Sequence, residues 1–189
     1  MWQYQKKLQY PINIKNTNPK LAQMILTQFG GYASELGAAL RYLTMRYTMP
    51  TDEGKALLTD IGTEELAHIE MINTIVLQLI DGASVEELKA AGVEANYVEH
   101  GKNMFPVDAN GVPFSTMLFA VTGDPVVDLT ENLAAEEKAR IVYERLMDLT
   151  NDPDVLAPLS FLREREVIHF QRFGELLNKY NKMKTERLI

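Results

Sequence analysis

Residues 63–71 read TEELAHIEM, and within them Glu65 and His68 stand three apart. The positions three, four and seven residues from Glu65 include Leu58, Ile61, Gly62, Ile69 and Ile72. On a 3.6-residue period these share one helix face with the carboxylate and the imidazole. That face is apolar. An isolated ionised carboxylate there would protonate unless a positive charge met it.

The pattern occurs twice. Glu166-Val167-Ile168-His169 repeats Glu-x-x-His at an offset of 101 (166 − 65 and 169 − 68), and two of the three histidines close these motifs. Thirty residues before each motif stands another glutamate, Glu35 (65 − 30) and Glu136 (166 − 30). The neighbours repeat as well: Ala38 with Ala139, Tyr42 with Tyr143, Leu58 with Leu159, Ile61 with Leu162, and Ile69 with Phe170. A duplicated helix pair folds into a bundle whose halves face each other across a pseudo-two-fold axis. The other three glutamates also sit on apolar faces. Glu166 is flanked by Leu159, Leu162, Phe170 and Phe173, and Glu35 by Gly31, Tyr32, Ala38, Ala39 and Tyr42. Glu136 is flanked by Leu129, Leu133, Ala139 and Tyr143, with Arg140 the one charge.

Four inward carboxylates need compensating positive charge, and two divalent cations supply it. Carboxylate and imidazole donors without sulfur suit iron or manganese more than copper(I) or zinc-thiolate chemistry. A glutamate from each of two helices, plus Glu-x-x-His from each of the other two, is the ligand set of di-iron and di-manganese carboxylate bundles. The bland alternative makes His68 and His169 satisfied core histidines and lets the glutamates reach out to water. One Glu-x-x-His would not decide the matter, but two copies with matched leads do.

The rest of the chain fits that architecture. Four long helices are expected at about 19–48, 51–80, 125–150 and 153–180. Their starts are marked by Asn18-Pro19, Thr51, Asp124-Pro125 and Asp152-Pro153, and the first two stops by Pro50 and Asp81-Gly82. Pro158 falls in the first turns of the fourth and is expected to bend it. Short joints make two antiparallel hairpins, and residues 81–123 make a long crossover with one short helix in SVEELKAAGV. The expected fold is all-α: one ferritin-like four-helix bundle spanning 1–189, with the crossover between helices 2 and 3 and an extended N-terminal arm over 1–18.

Composition bounds the function. The 189 residues carry a net charge of −7. That argues against nucleic acid, whose partners present a basic stripe, and against anionic membrane surfaces. There is no cysteine, which excludes disulfides, thiolate metal sites and a cysteine nucleophile. No run of about 18 apolar residues is present, so no membrane span is expected. The opening MWQYQKKLQYPINI lacks an apolar run with a small-residue cleavage site, so a signal peptide is not expected and synthesis is cytoplasmic. His100 is expected to be solvated. Glu64, Glu70, Glu137 and Glu164 read as surface charges or as acceptors beyond the ligands, and the nine methionines as core filler. Tyr42 and Tyr143 are either donors beside the metals or packing.

The chain resembles the manganese catalases. The likeness rests on Glu35 in GGYASELGAALRYL, Glu65 and His68 in GTEELAHIEM, Glu136 in NLAAEEKARIVYE, and Glu166 and His169 in REREVIHF. The short length and the opening MWQYQKKLQYPI are most similar to a spore-coat member of that family. The resemblance implies a bundle holding two manganese ions per subunit that disproportionates hydrogen peroxide to dioxygen and water. It implies that Glu35 and His68 ligate one ion, Glu136 and His169 the other, and that Glu65 bridges them. Glu166 would lie just outside and move protons, whereas spacing alone makes it a second bridge. Homo-oligomers, hexamers in the family, and a place in the spore coat beside other coat proteins are implied too. The long C-terminal extension of the larger members is missing, so no calcium site is expected. Some members place an arginine before the ligand equivalent to Glu136, where this chain has Ala135; Arg140 or Arg163 is the expected substitute. Two rivals share the fold: a di-iron ferroxidase or peroxidase, and a structural coat protein whose metals stiffen the bundle.

Overall fold

The computed structural model describes residues 7–186, and the opening hexapeptide MWQYQK lies outside them. The first expected helix is not one helix. It is split into α1 (Pro19–Ile25), α2 (Thr27–Gly30) and α3 (Glu35–Met45), followed by a 3₁₀ turn at Arg46–Thr48. The break falls at the Gly30-Gly31 pair, where the crossover backbone comes close. A β-carbon on Gly30 would lie 2.3 Å from the Pro106 carbonyl carbon, so only glycine lets the crossover press on this point. Gly31 is then extended, and Ser34 restarts the helix by accepting from the Gly37 N–H at 3.3 Å. The restart makes Glu35 the first residue of α3, where the helix dipole favours a negative charge.

The remaining helices run close to expectation: α4 spans Asp52–Ile80, α7 Pro125–Met147 and α8 Pro153–Glu186. Thr51 caps α4 through the Gly54 N–H, and Asp124 caps α7 through Val126 and Val127. Pro158 lies inside α8, and the helix continues through it. The crossover carries α5 (Val85–Ala91) and α6 (Glu94–His100), a 3₁₀ turn at Thr116–Leu118 and one isolated bridge, Val107 to Pro113. Among the described residues there is no strand, and no helix is long and apolar enough to cross a membrane. The chain is a ferritin-like helical bundle: α3 packs along α4, α7 packs along α8, and α3 meets α7 across the middle.

The core has two apolar halves with a polar layer between them. One half contains Met71, Ile72 and Ile75 of α4 with Leu159 and Leu162 of α8. The other contains Leu58 and Ile61 of α4 with Phe173 and Leu176 of α8. The repeat mates Leu58 and Leu159 therefore fall in opposite halves, as do Ile61 and Leu162. A two-fold axis crossing the bundle between the halves produces that exchange, and the Glu-x-x-His motifs sit where it crosses. Tyr32 and Phe170, counted above with the apolar faces, instead lie at the surface, 56% and 38% exposed.

The described part of the N-terminal arm lies on the bundle. The Ile14 N–H donates to Gln78 Oε1 at 2.7 Å, and the Tyr10 and Phe161 rings pack at 5.1 Å. Asn16 Nδ2 donates to Asp152 at 3.1 Å.

Candidate metal centre

All six expected residues meet in the polar layer. Glu35 comes from the first turn of α3, Glu65 and His68 from mid-α4, Glu136 from α7, and Glu166 and His169 from α8. None is more than 2% exposed. One ligand atom from each of Glu35, Glu65, His68 and Glu166 lies within 4.8 Å of the others, and the same holds for Glu65, Glu136 and His169. Glu65 belongs to both groups, and Glu166 to the first alone. Spacing treats these repeat mates as equals; the fold does not.

Two tyrosines link the halves. Tyr42 of α3 donates to Glu136 Oε1 of α7 at 2.5 Å, and its mate Tyr143 of α7 donates to Glu35 Oε1 of α3. Each phenol therefore holds the partner half's glutamate, leaving the second carboxylate oxygen free to face the centre. Packing contributes as well, since Tyr42 meets the Phe173 ring edge at 4.9 Å.

The imidazoles stack at 5.7 Å and 21°. His68 Nδ1 lies 2.7 Å from Glu65 Oε2 and 3.4 Å from Glu35 Oε2. His169 Nδ1 lies 3.0 Å from Glu65 Oε1 and 3.7 Å from Glu136 Oε2. Both outer nitrogens turn the other way, toward Glu64. His169 Nε2 is 3.0 Å from Glu64 Oε2, and His68 Nε2 is 3.8 Å from Glu64 Oε1. At His169 this hydrogen-bond distance to a carboxylate favours the tautomer that presents Nδ1 as a lone pair to the centre, whereas His68 Nε2 at 3.8 Å is too far from Glu64 to make the bond.

Glu64 is thus more than a surface charge. It is also gripped by Arg165, with Nε at 2.7 Å and Nη2 at 3.0 Å, and by Gln9 Nε2 at 2.5 Å. A signal for it existed in the repeat: Glu64 and Arg165 are mates at the same offset (165 − 64 = 101), so the duplication places opposite charges beside the axis. Replacing Glu64 by alanine strips His169 of its outer acceptor and removes the carboxylate that faces His68 Nε2. Manganese affinity is expected to fall about 10–100-fold, the usual effect of losing an outer partner of a ligand. Titration of the metal-free variant with manganese, with helix content checked by circular dichroism, measures it.

Considered as protein atoms alone, the cluster balances charge with protons. Burial and the charge of Glu65 push Glu35 up to about 7. Burial, then the charges of Glu35, Glu136 and Glu65, push Glu166 well above the carboxylate range. Burial opposes ionisation of Glu65, but His169 and His68 hold it below its ordinary value. Burial likewise opposes the imidazolium form of His169, but Glu65 and the other carboxylates push it up to about 12. Within these six residues, four buried atoms still lack a hydrogen-bond partner: Glu65 Oε1, Glu166 Oε1, His68 Nε2 and His169 Nδ1. An unmade hydrogen bond of this kind costs about 1–3 kcal/mol, and more for charged groups. The three that face the centre are oxygen and nitrogen donors, so the residues present fit a pair of hard or borderline divalent cations.

A narrow cleft of about 10 Å³, room for about one water-sized solute, reaches the layer from outside, lined by Ser34, Ala38, Arg41, Ala135 and Ala139 and by Glu35, Glu136 and Glu166. Neither expected arginine lines it. Arg140 pairs with Glu137 and Glu144 at 2.8 and 2.7 Å, while Arg163 pairs with Glu144 at 2.8 Å and with Glu164. Those acids lie on the surface, and they hold both guanidinium groups there. His100 is not freely solvated either: its ring stacks on Phe105 at 4.3 Å and 9°.

Comparison with known proteins agrees with this geometry. The family description "Manganese containing catalase" matches residues 1–188. Protein CotJC of Bacillus subtilis (strain 168) is 48% identical over 189 residues, covering 100% of both chains. A probable manganese catalase of Clostridium acetobutylicum is 37% identical over 182 residues, 95% of this chain and 80% of its own. The crystal structure of KatB, a manganese catalase from Anabaena, superposes with a TM-score of 0.89 at 31% identity, over 96% of this chain and 82% of that one. A glutamate shared by two buried Glu/His groups, carried on a fold and sequence matched along nearly the whole chain, leaves one conclusion: the chain belongs to the manganese catalase family.

Proposed function

We propose that the protein is a di-manganese catalase, disproportionating hydrogen peroxide to dioxygen and water. The observation that carries this is the position of Glu65 in both buried Glu/His groups. In this assignment Glu35 and His68 would hold one ion and Glu136 and His169 the other, with Glu65, common to both groups, shared between them. When bound, the manganese pair supplies two electrons reversibly, each ion cycling between +2 and +3. The chain does the rest. Tyr42 and Tyr143 hold the terminal carboxylates in place, and Glu64 orients the His169 imidazole. The cleft's small side chains exclude anything bulkier than a small solute.

Protons must balance across the two half-reactions. One peroxide gives up two electrons and two protons and leaves as dioxygen. The second takes up two electrons and two protons as its O–O bond breaks, and leaves as two waters. Glu166, buried and with Oε1 unpaired, is the residue assigned to hold a proton between them.

The test is metal analysis of protein made with both manganese and iron in excess, followed by dioxygen release on adding peroxide. Two manganese ions per chain and dioxygen well above that from free manganese are expected. Dominant iron would favour a ferroxidase or peroxidase, and metal without dioxygen release would favour a bundle merely stiffened by its ions. We also propose that the protein assembles as a homo-oligomer, a hexamer, and resides in the spore coat with other coat proteins. The full-length likeness to CotJC supports the coat assignment. Light scattering and fractionation of spores test these two statements.

Metal uptake should depend on pH. Glu35 and both imidazoles have raised pKa values, so in the free protein they keep protons that binding must displace. A group with a raised pKa is protonated below that value, so affinity falls as pH drops and rises as pH climbs. Each displaced proton changes affinity about tenfold per pH unit. Manganese titrations between pH 6 and 8 should therefore tighten by at least about one order of magnitude per unit, with protons released into the buffer.

A further inference from the structure

The cleft contains a cation that the assignment above does not use. Arg41 of α3 is 2% exposed, yet its Nε has no hydrogen-bond partner and no ion pair of its side chain is found among the described residues. Its guanidinium carbon lies 5.5 Å from the centre of the Phe119 ring, which the crossover brings over it. Arginine stays charged at any ordinary pH, and burying it without a carboxylate is unfavourable by several kcal/mol. Three glutamates line the same cleft, but Tyr143 and Tyr42 already engage two of them. A planar fork of N–H donors is therefore held in a passage walled by Ser34, Ala38, Ala135 and Ala139.

We propose that Arg41 is a substrate-binding residue of this cleft, donating N–H hydrogen bonds to the oxygen of an incoming peroxide and holding small monoanions at the same place. The inference rests on the catalase assignment. Phe119 holds the guanidinium at its ring, and Arg41 lines the passage, so its N–H donors are at hand for a small solute there. A purely structural role, pinning the crossover through Phe119, makes a different prediction, because it leaves ligand affinity untouched.

The experiment compares manganese-loaded wild type with Arg41→Gln. Four readouts are followed: manganese per chain, thermal midpoint, KM and kcat for peroxide, and the dissociation constant of azide from its optical titration. The expected result is unchanged manganese content and thermal midpoint, a kcat within a few-fold of wild type, and KM and azide dissociation constant both raised about tenfold or more. Loss of one charge-assisted hydrogen bond has that size. Arg41→Lys, which keeps the charge but loses the fork, should fall between the two. If Arg41→Gln does not fold, Arg41→Met, matched in length and uncharged, carries the same expectation. Unchanged KM and azide affinity, or a fall in kcat alone, overturns the proposal. A wild type that takes up no manganese and releases no dioxygen removes the catalase assignment and this inference with it.

Discussion

Glu65→Gln should purify with neither metal ion. The substitution keeps the shape of the side chain and removes only its charge, so the apolar halves on either side should pack as before. What it removes is shared. Glu65 Oε2 lies 2.7 Å from His68 Nδ1 and Oε1 lies 3.0 Å from His169 Nδ1, one oxygen toward each half of the centre. Of the residues in the layer, it alone belongs to both buried groups. An amide can offer only its carbonyl oxygen, and its NH₂ would face the partner imidazole's lone pair. Metal content should drop from two ions to below about one-tenth of that, the 10–100-fold range being a floor set by losing only an outer partner. Wild type should gain thermal stability on adding manganese, because ligand binding to the folded state stabilises it, and the variant should not. Circular dichroism of the variant should still report the helices. A variant that keeps two ions and its manganese-dependent midpoint would show that Glu65 is not a bridge.

Much of this centre is legible in the sequence, because a duplication writes it twice. Glu35, Glu65, His68, Glu136, Glu166 and His169 all follow from one offset and one lead, and all six are buried together. Three features were not legible, each for a tertiary reason. The break in the first helix falls where Pro106 comes close to Gly30, a contact across 76 positions (106 − 30) that no local period records. The inequality of Glu65 and Glu166 depends on which one the fold places between the two half-sites, and a repeat is blind to that. Arg41 belongs to no motif in the sequence. It is buried, with Phe119 of the crossover lying over its guanidinium, and nothing periodic locates the crossover. Glu64 is intermediate, since its mate Arg165 advertises an ion pair near the axis while its acceptance from His169 needs the folded bundle.

Glu166→Ala should separate binding from turnover. Glu166 belongs to one buried group, and that group retains Glu35, Glu65 and His68 without it. Two manganese ions per chain should therefore remain. The fold should tolerate the change too, because a smaller apolar side chain leaves no charge stranded between the apolar halves. Dioxygen release should nevertheless fall about 10²–10⁴-fold, the range expected when a positioned proton donor and acceptor is removed. The loss should sit in kcat, with KM and azide affinity near wild type, because the cleft's Arg41 is untouched. Glu166→Gln distinguishes a proton carrier from a spacer: it fills the same volume but cannot exchange a proton at Oε1, so it should be as slow as alanine. Glu166→Asp keeps the carboxyl on a shorter stem and should recover part of the rate. Full activity in the glutamine variant would show that protons travel by another route, and loss of metal from the alanine variant would make Glu166 a ligand, as its spacing alone suggests.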